Sequence, residues 1–506
     1  MTDLWHDILA NALIGTQRQP FVLPPADGEL TNLLAQVNRE DSEAALLDAA
    51  AAVSLHRRAG YVPPPPDSAV EIPPAPPDEL PRCSDRAADC LATMLDGQHA
   101  EVFPEWAIAV ATARQRVPET YLPSLLDLGK QKSYLQAQIL PILGRRGRWL
   151  AAQNPDWTYA SDLAATGQDI EQLWQTGTSG QRQTLLQRLR AEQPKRGRAL
   201  VASTWKEDKA GDRAAFVAAL QTNLTAEDEP FLESALGDRS KQVNRAAAEL
   251  LARLPDSRLC RRAKNRALVL LEFKRNYIQV TTLSQCDEAM QRDGIVPKPP
   301  AGMGEKAWWL LQLLSQVPPQ FWQSIASPIE WVEAAVKSDW KQALLEGWAI
   351  ATVRHRAMDW AEALVQVWHT VAQSRNAETI EQLVEILPSD RIETLILESW
   401  RDCSDKLSVE NPAFGLLKAY RQGWSLAFSR AVLGSLCEEL SQRKNSYDWE
   451  LRSTVKDFAL YMNPDLVDEA SDRLRDKVGQ LSYWSVTVDE FLSTLQFRHE
   501  MHAAIE

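Results

Sequence analysis

The chain is poor in the residues that build metal sites and disulfide frameworks. Its six cysteines (Cys83, Cys90, Cys260, Cys286, Cys403 and Cys437) are scattered over 506 residues, and none stands in a Cys-x-x-Cys pair. That excludes a zinc ribbon or thioredoxin-type motif and leaves buried free thiols as the expectation. Histidine is equally sparse. Of seven, only His499 and His502 lie close together, and their i,i+3 spacing is not the i,i+4 pair around a general-base glutamate that a HExxH metalloprotease needs. No GxxxxGK[ST], GxGxxG or GxSxG occurs, so phosphate cradling and serine hydrolysis lack their usual backbone geometry. No apolar run approaches the roughly 20 residues of a membrane span; ALVLL at 267–271 is typical of the longest. The opening MTDLWHDILANALIG carries Asp3 and Asp7 and no basic stretch, unlike a secretory signal. Alternation with period two is almost absent, so no sheet is expected. A cytoplasmic protein with no cofactor, no metal and no catalytic constellation is the expectation from these absences.

What the chain does have is helical periodicity. Leu4, Ile8 and Ala12 share one face, and the alanine-rich stretch from Glu43 to Arg58 favours helix. Residues 1–60 read as a helical segment. Nine prolines follow between Pro63 and Pro81; with φ fixed and the amide donor missing, residues 61–82 can be neither helix nor central strand and read as a stiff linker or a surface strap. Helices resume over 83–291. In EPFLESALGDRSKQVNRAAAELLARLP, Phe231, Leu232, Ala235 and Leu236 form one apolar face, Gly237-Asp238 breaks it, and Val243, Ala246, Ala247, Leu250, Leu251 and Leu254 form the next. The small cluster Ala246–Ala248 permits a close neighbour, and Pro255 stops the helix. LPDSRL at 254–259 is echoed by LPSDRI at 387–392, each ahead of a new amphipathic helix. A Pro/Gly-rich break at 292–306 separates this array from a second one at 307–506. There, Ser327 to Glu330 and Thr487 to Glu490 read as capping boxes. Of 18 tryptophans, eight lie between Trp308 and Trp368. Trp340, Leu344, Trp348 and Ala351 share one stripe, and Trp360, Leu364, Val367 and Trp368 another; such stripes fill cores, the alternative being a stacking platform for bases. The expected fold is all-α, a HEAT-like α-solenoid of stacked helix pairs in two arrays, which builds surfaces rather than pockets.

Charge is uneven. The net value is −13, yet residues 145–275 are net positive between acidic flanks, an asymmetry that steers partners. Two basic features stand out. Arg145, Arg146 and Arg148 flank Gly147 after Leu143-Gly144; they either present forks and free amides to a phosphate or carboxylate or cap carbonyls at a helix C-terminus. Further on, Arg258, Arg262 and Arg266 repeat at i,i+4, and Arg261, Lys264 and Arg245 extend that face if the preceding helix packs antiparallel. Such a stripe suits nucleic acid or an acidic partner, or is a solvated face that pairs with the chain's own acids.

At LGRRGRWLAAQNPDW (143–157) and DEPFLESALGDRSKQVNRAAAELLARLP (228–255) the chain resembles a family of uncharacterised bacterial proteins known from gene neighbourhoods with MoxR-type AAA+ ATPases, von Willebrand factor A-domain proteins and SWIM-type zinc-finger proteins. ALIGTQRQPF (12–21), AALLDAAAAVSLHRRAG (44–60) and VPETYLPSLLDLG (117–129) fit the same family. The helices around 226–272 also resemble HEAT-type repeats. The resemblance implies an accessory role beside a MoxR-type ATPase or a von Willebrand A-domain protein and carries no site residue with it. The preferred expectation is a non-catalytic protein-binding scaffold or adaptor that does not enter membranes; the second is a nucleic-acid-binding helical repeat using the basic 145–275 region.

Overall fold

The computed structural model describes residues 2–23, 29–59, 74–161, 170–371, 377–402, 411–442, 449–478 and 484–505. Residues 61–73 of the proline-rich segment, Cys403 and the side chain of Trp368 lie outside the described residues. The chain is mostly helical and divides into two compact units, Met1–Pro74 and Ala75–Glu506.

The first unit holds α1 (Thr2–Ile14), α2 (Glu29–Leu34) and α3 (Ser42–Ala59). Leu4 and Ile8, one turn apart on α1, meet Leu30 and Leu34 of α2 and Ala49 and Val53 of α3 in a small core. The Asp41 carboxylate accepts from the amides of Glu43 and Ala44 at 2.9 and 3.2 Å and so caps α3.

The second unit begins with α4 (Asp85–Leu95), α5 (Phe103–Thr112), α6 (Leu122–Gln131), α7 (Gln136–Ile139) and α8 (Gly144–Ala152). Ser84 caps α4 through the Ala87 amide, and Trp106, fully buried, donates to the Ala87 carbonyl at 3.0 Å. Residues 80–83 run alongside Arg116: its amide donates to Pro81 O, its Nε to Leu80 O, and its carbonyl accepts from the Cys83 amide.

Seven helices follow: α9 (Ile170–Thr176), α10 (Ser179–Glu192), α11 (Pro194–Thr204), α12 (Ala210–Ala219), α13 (Glu229–Ala235), α14 (Lys241–Ala252) and α15 (Arg258–Leu270). α10 packs on both α11 and α12, and α12 in turn packs on α14. One side-chain device occurs twice here. Arg182 lies 4.3 Å over the Trp174 ring and binds Asp208 at 2.6 Å. At the same offset along the chain, Arg213 lies 5.5 Å over the Trp205 ring and binds Asp238 at 2.9 Å. Both arginines are nine-tenths buried, so the cation, the ring face and the carboxylate satisfy one another.

A hairpin interrupts the helices, where no strand was expected. β1 (Leu271–Lys274) and β2 (Tyr277–Val280) pair antiparallel, Leu271 opposite Val280 and Phe273 opposite Ile278. Those four residues form the inward face, and Arg275 takes the left-handed φ of 53° that a two-residue hairpin loop requires. Four-residue strands are too short to leave a readable alternation, and their apolar residues continue the helical stripe of α15.

The remaining helices are α16 (Glu288–Arg292), α17 (Glu305–Ser315), α18 (Pro319–Gln323), α19 (Pro328–Val336), α20 (Lys341–His355), α21 (Met358–Val371), α22 (Ala377–Val384), α23 (Ser389–Asp402), α24 (Pro412–Ala419), α25 (Leu426–Gln442), α26 (Trp449–Phe458), α27 (Val467–Val478) and α28 (Ser485–Ile505). Alternate helices touch again: α19 packs on α21, α20 on α22, α22 on α24, α25 on α27 and α26 on α28. One continuous core runs from Ala263 to Leu495 and includes Met290, Ile295 and Trp309 on either side of residues 296–306. Its centre is aromatic. Trp322, Trp331, Trp348 and Trp360 are fully buried, with ring centroids 5.2 to 6.2 Å apart in tilted or edge-on contacts. These tryptophans are core, not a surface platform for bases. α17 and α20 approach closely because Gly347 has no side chain; a Cβ there would lie 2.9 Å from the Leu311 carbonyl oxygen.

Ser327 and Glu330 form the expected capping box, with Pro328 at the first helical position. Thr487–Glu490 does not: α28 starts at Ser485, which puts Thr487 inside the helix, where its hydroxyl accepts from Arg452 Nε at 3.2 Å. LPDSRL and LPSDRI both start helices, α15 through the Ser257 cap and α23 at Ser389. Cys83, Cys90, Cys260 and Cys286 are free thiols, and burial pushes Cys83 up to about 11.

Candidate anionic-partner interface

The arginines at 145–148 open a helix rather than close one. Gly144, with φ +67°, turns the chain into α8, and the first amides of that helix, those of Arg145 and Arg146, donate to the Asp78 carboxylate. The carboxylate that the free amides call for therefore comes from this chain. A side chain at Gly144 would collide with Asp78, so the glycine admits the cap. The Arg145 guanidinium pairs with Glu79 and that of Arg146 with Glu119 at 3.2 Å. Arg148, half-buried, is engaged as well. Capping of a helix C-terminus by these residues is thus corrected: the cap is at an N-terminus and the carboxylate is Asp78.

The stripe on α15 is also occupied from within. Arg258 binds Glu229 of α13 at 3.2 Å. Arg262 binds Glu233 at 3.0 Å and Asp293 at 2.7 Å, and Arg266 binds Asp293 at 2.7 Å. Asp293 is 1% exposed, so two guanidiniums compensate one buried carboxylate. Burial alone would lower the Arg262 pKa; the hydrogen bonds from Asp293 and Glu233 outweigh it and raise it. Lys264 sits 4.2 Å over the Phe321 ring. Of the predicted face, Arg245 and Arg261 alone are exposed with no hydrogen bond or ion pair to a described residue.

Arg245 does not stand alone. It lines a cavity of about 510 Å³ between α14 and residues 291–298, together with Lys241, Arg292 and Lys298. Lys241 and Lys298 are exposed and, among the described residues, unpaired; Arg292 lies 3.7 Å from Glu233. The one carboxylate at the rim, Asp238, is already held by Arg213 and by the Ser240 amide. Burial would raise the Asp238 pKa, and those bonds instead hold it below its ordinary value. The sequence carried part of this signal: Lys241 and Arg245 are one turn apart on α14. Arg292 and Lys298 were missed because they stand in and beside a Pro/Gly-rich stretch that reads only as a break.

A second cavity, about 790 Å³, lies where α28 returns onto α5. Three of its ionisable groups, Glu105, Arg498 and His502, answer one another. Arg498, 2% exposed, grips Glu105 through Nε at 2.6 Å and Nη2 at 2.8 Å, while its Nη1 donates to the Ala459 and Met462 carbonyls. His502 Nε2 lies 2.8 Å from the same carboxylate. Burial would raise the Glu105 pKa; the His502 and Arg498 bonds overcome it and lower it. His499 faces Asp465 at 3.7 Å instead, so the two histidines address different partners. Ser84 Oγ donates to Ala504 O at 2.6 Å, and Phe497 stacks on His99 at 4.7 Å. The cluster clamps the last helix of the unit onto its first ones. Among the described residues no group of three or more His, Cys, Asp or Glu could hold a metal ion, and no helix is long and apolar enough to cross a membrane.

Fold and site together define a mostly helical protein whose described basic residues are largely neutralised internally and which keeps an open cationic groove beside α14. The chain belongs to the family of unknown function DUF5691, whose profile matches residues 7–505. Neither a curated protein nor a solved structure matches it.

Proposed function

We propose that this chain is a protein-binding scaffold or adaptor, built as a HEAT-like stack of helix pairs. The observation that carries the reading is the packing of alternate helices in the second unit: α12 packs on both α10 and α14, and further on the pairs are α19–α21, α20–α22, α22–α24, α25–α27 and α26–α28. A stack of that kind exposes helix faces over a long path and suits recognition of another chain. The repeated Trp–Arg–Asp device of α9–α13 supports it, as two successive repeats hold their helices by the same means. By the resemblance of its segments, the partner is a MoxR-type ATPase or a von Willebrand A-domain protein of the same cell. Affinity purification of the tagged full-length chain, with nuclease treatment before elution, tests this. Stoichiometric recovery of a protein partner is expected; recovery of the bare chain refutes it.

The nucleic-acid reading loses its main support, because Arg258, Arg262 and Arg266 are held by Glu229, Glu233 and Asp293. A duplex needs an extended run of free cations, and the spent stripe does not supply one.

A further inference from the structure

We propose that the groove between α14 and residues 291–298 binds a short acidic peptide segment carrying an apolar anchor residue. This rests on the scaffold reading above and names the chemistry of what one part of the scaffold takes.

The groove is built, not incidental. Asn244 reaches from α14 to both walls, its Nδ2 donating to the Leu236 and Arg292 carbonyls at 2.7 Å each. Gly294, at φ +89°, lets the far wall close on α14: a Cβ there would stand 2.5 Å from Ala248 Cβ. The Gln316 amide holds the Asp293 carbonyl at 2.8 Å behind that wall. Leu236 and Ile295, each 2% exposed, make an apolar floor, with Val296 and Pro297 beside it. Lys241, Arg245, Arg292 and Lys298 surround that floor.

Charge and size together select the occupant. Lys241, Arg245 and Lys298, with Arg292 shared with Glu233 at 3.7 Å, meet a single lining carboxylate, Asp238, which already accepts from Arg213 and from the Ser240 amide. Anionic side chains are therefore drawn in with little competition from within. Val296 and Pro297, half-buried beside that floor, leave apolar surface that an apolar side chain covers and inorganic phosphate does not. A cavity of about 510 Å³ accommodates a few side chains. A duplex is disfavoured because the four cations are gathered at one cavity of about 510 Å³, whereas a long polyanion needs free cations spaced along its backbone. Capture of an acidic loop or tail by cations around an apolar pocket is the peptide mode this geometry fits.

The test is fluorescence anisotropy of a fluorescein-labelled peptide of Glu and Asp residues flanking one Leu, titrated with the full-length protein. Arg245→Glu combined with Lys298→Glu is the perturbation; both residues are exposed and, among the described residues, unpaired, and circular dichroism checks the fold. Arg261→Glu, an exposed cation outside the groove, is the control. Saturable binding that weakens with salt, falls roughly tenfold or more in the double variant and survives Arg261→Glu is expected. No binding, or equal loss in the control, overturns the proposal. Tighter groove-dependent binding of a DNA duplex overturns it in favour of nucleic acid. If the double variant still recovers the cellular partner but the peptide does not bind, the scaffold reading stands and this inference fails.

Discussion

The deepest ion pair among the described residues offers a quantitative check on how the helices between 179 and 235 are held. Arg190 of α10 and Asp228 at the start of α13 are both 0% exposed and meet through two bonds of 2.9 and 3.1 Å. Arg190 also donates to the carbonyls of Pro194, at the start of α11, and of Leu220, Thr222 and Asn223, just past the end of α12. Asp228 receives in addition Arg198 at 2.7 Å and the Thr225 amide at 3.0 Å. Replacing Asp228 by Ala leaves a buried guanidinium without its counter-charge, which costs about 3–5 kcal/mol. Because a chain of this length opens in parts, hydrogen exchange read by mass spectrometry is the suitable assay. Amides of α10 to α13 should lose protection by roughly 10²- to 10⁴-fold, with little change around Trp348. Arg190→Met together with Asp228→Leu should recover most of the loss, since an apolar pair removes the uncompensated charge. Burial would raise the Asp228 pKa, but its bonds from Arg190, Thr225 and Arg198 hold it below the ordinary value. A depressed folded pKa stabilises fully above the unfolded value of about 4 and loses that contribution as pH falls through the folded one. Wild-type protection in this region should therefore collapse on acidification below about pH 4, and less steeply in the variant that lacks Asp228. Unchanged protection in Asp228→Ala would refute the reasoning.

Three further outcomes follow from the geometry. Asp293→Asn deprives both Arg262 and Arg266 of their shared carboxylate and should lower local stability by about 3 kcal/mol, read as faster hydrogen exchange in α15. Trp348→Ala empties the aromatic centre and should cost about 3–5 kcal/mol, with loss of the near-ultraviolet circular dichroism of the stacked indoles. Glu105→Gln removes the charged acceptor of Arg498 and His502 and should cost about 1–3 kcal/mol, seen as faster exchange in α28 and α5.

Local features were legible in the sequence and long-range ones were not. Helical periodicity placed the apolar faces of α13 and α14, and the Ser327 box was readable because its parts sit three residues apart. Buried tryptophans were readable from their spacing as well. The arginine stripe at 258–266 was visible as a stripe, yet its fate depends on Asp293, which stands past the hairpin and is buried only once the chain has folded back. Arg145 and Arg146 gave the right chemistry, amides and guanidiniums seeking a carboxylate, but the direction of the helix and the identity of Asp78 came from tertiary structure. The clamp of α28 on α5 joins residues nearly 400 positions apart, and no local pattern announces it. The hairpin escaped because four apolar-containing residues after a helix look like more helix.

The claim that the unspent cations face an acidic protein partner is tested most directly by zero-length carbodiimide cross-linking of the full-length chain in its own cells, followed by mass spectrometry. Carbodiimide joins lysine amines to carboxylates in direct contact. The account predicts Lys241 and Lys298 linked to Asp or Glu of a second protein. Cross-links to a partner that leave both lysines untouched, or no cross-linked partner at all, would contradict it.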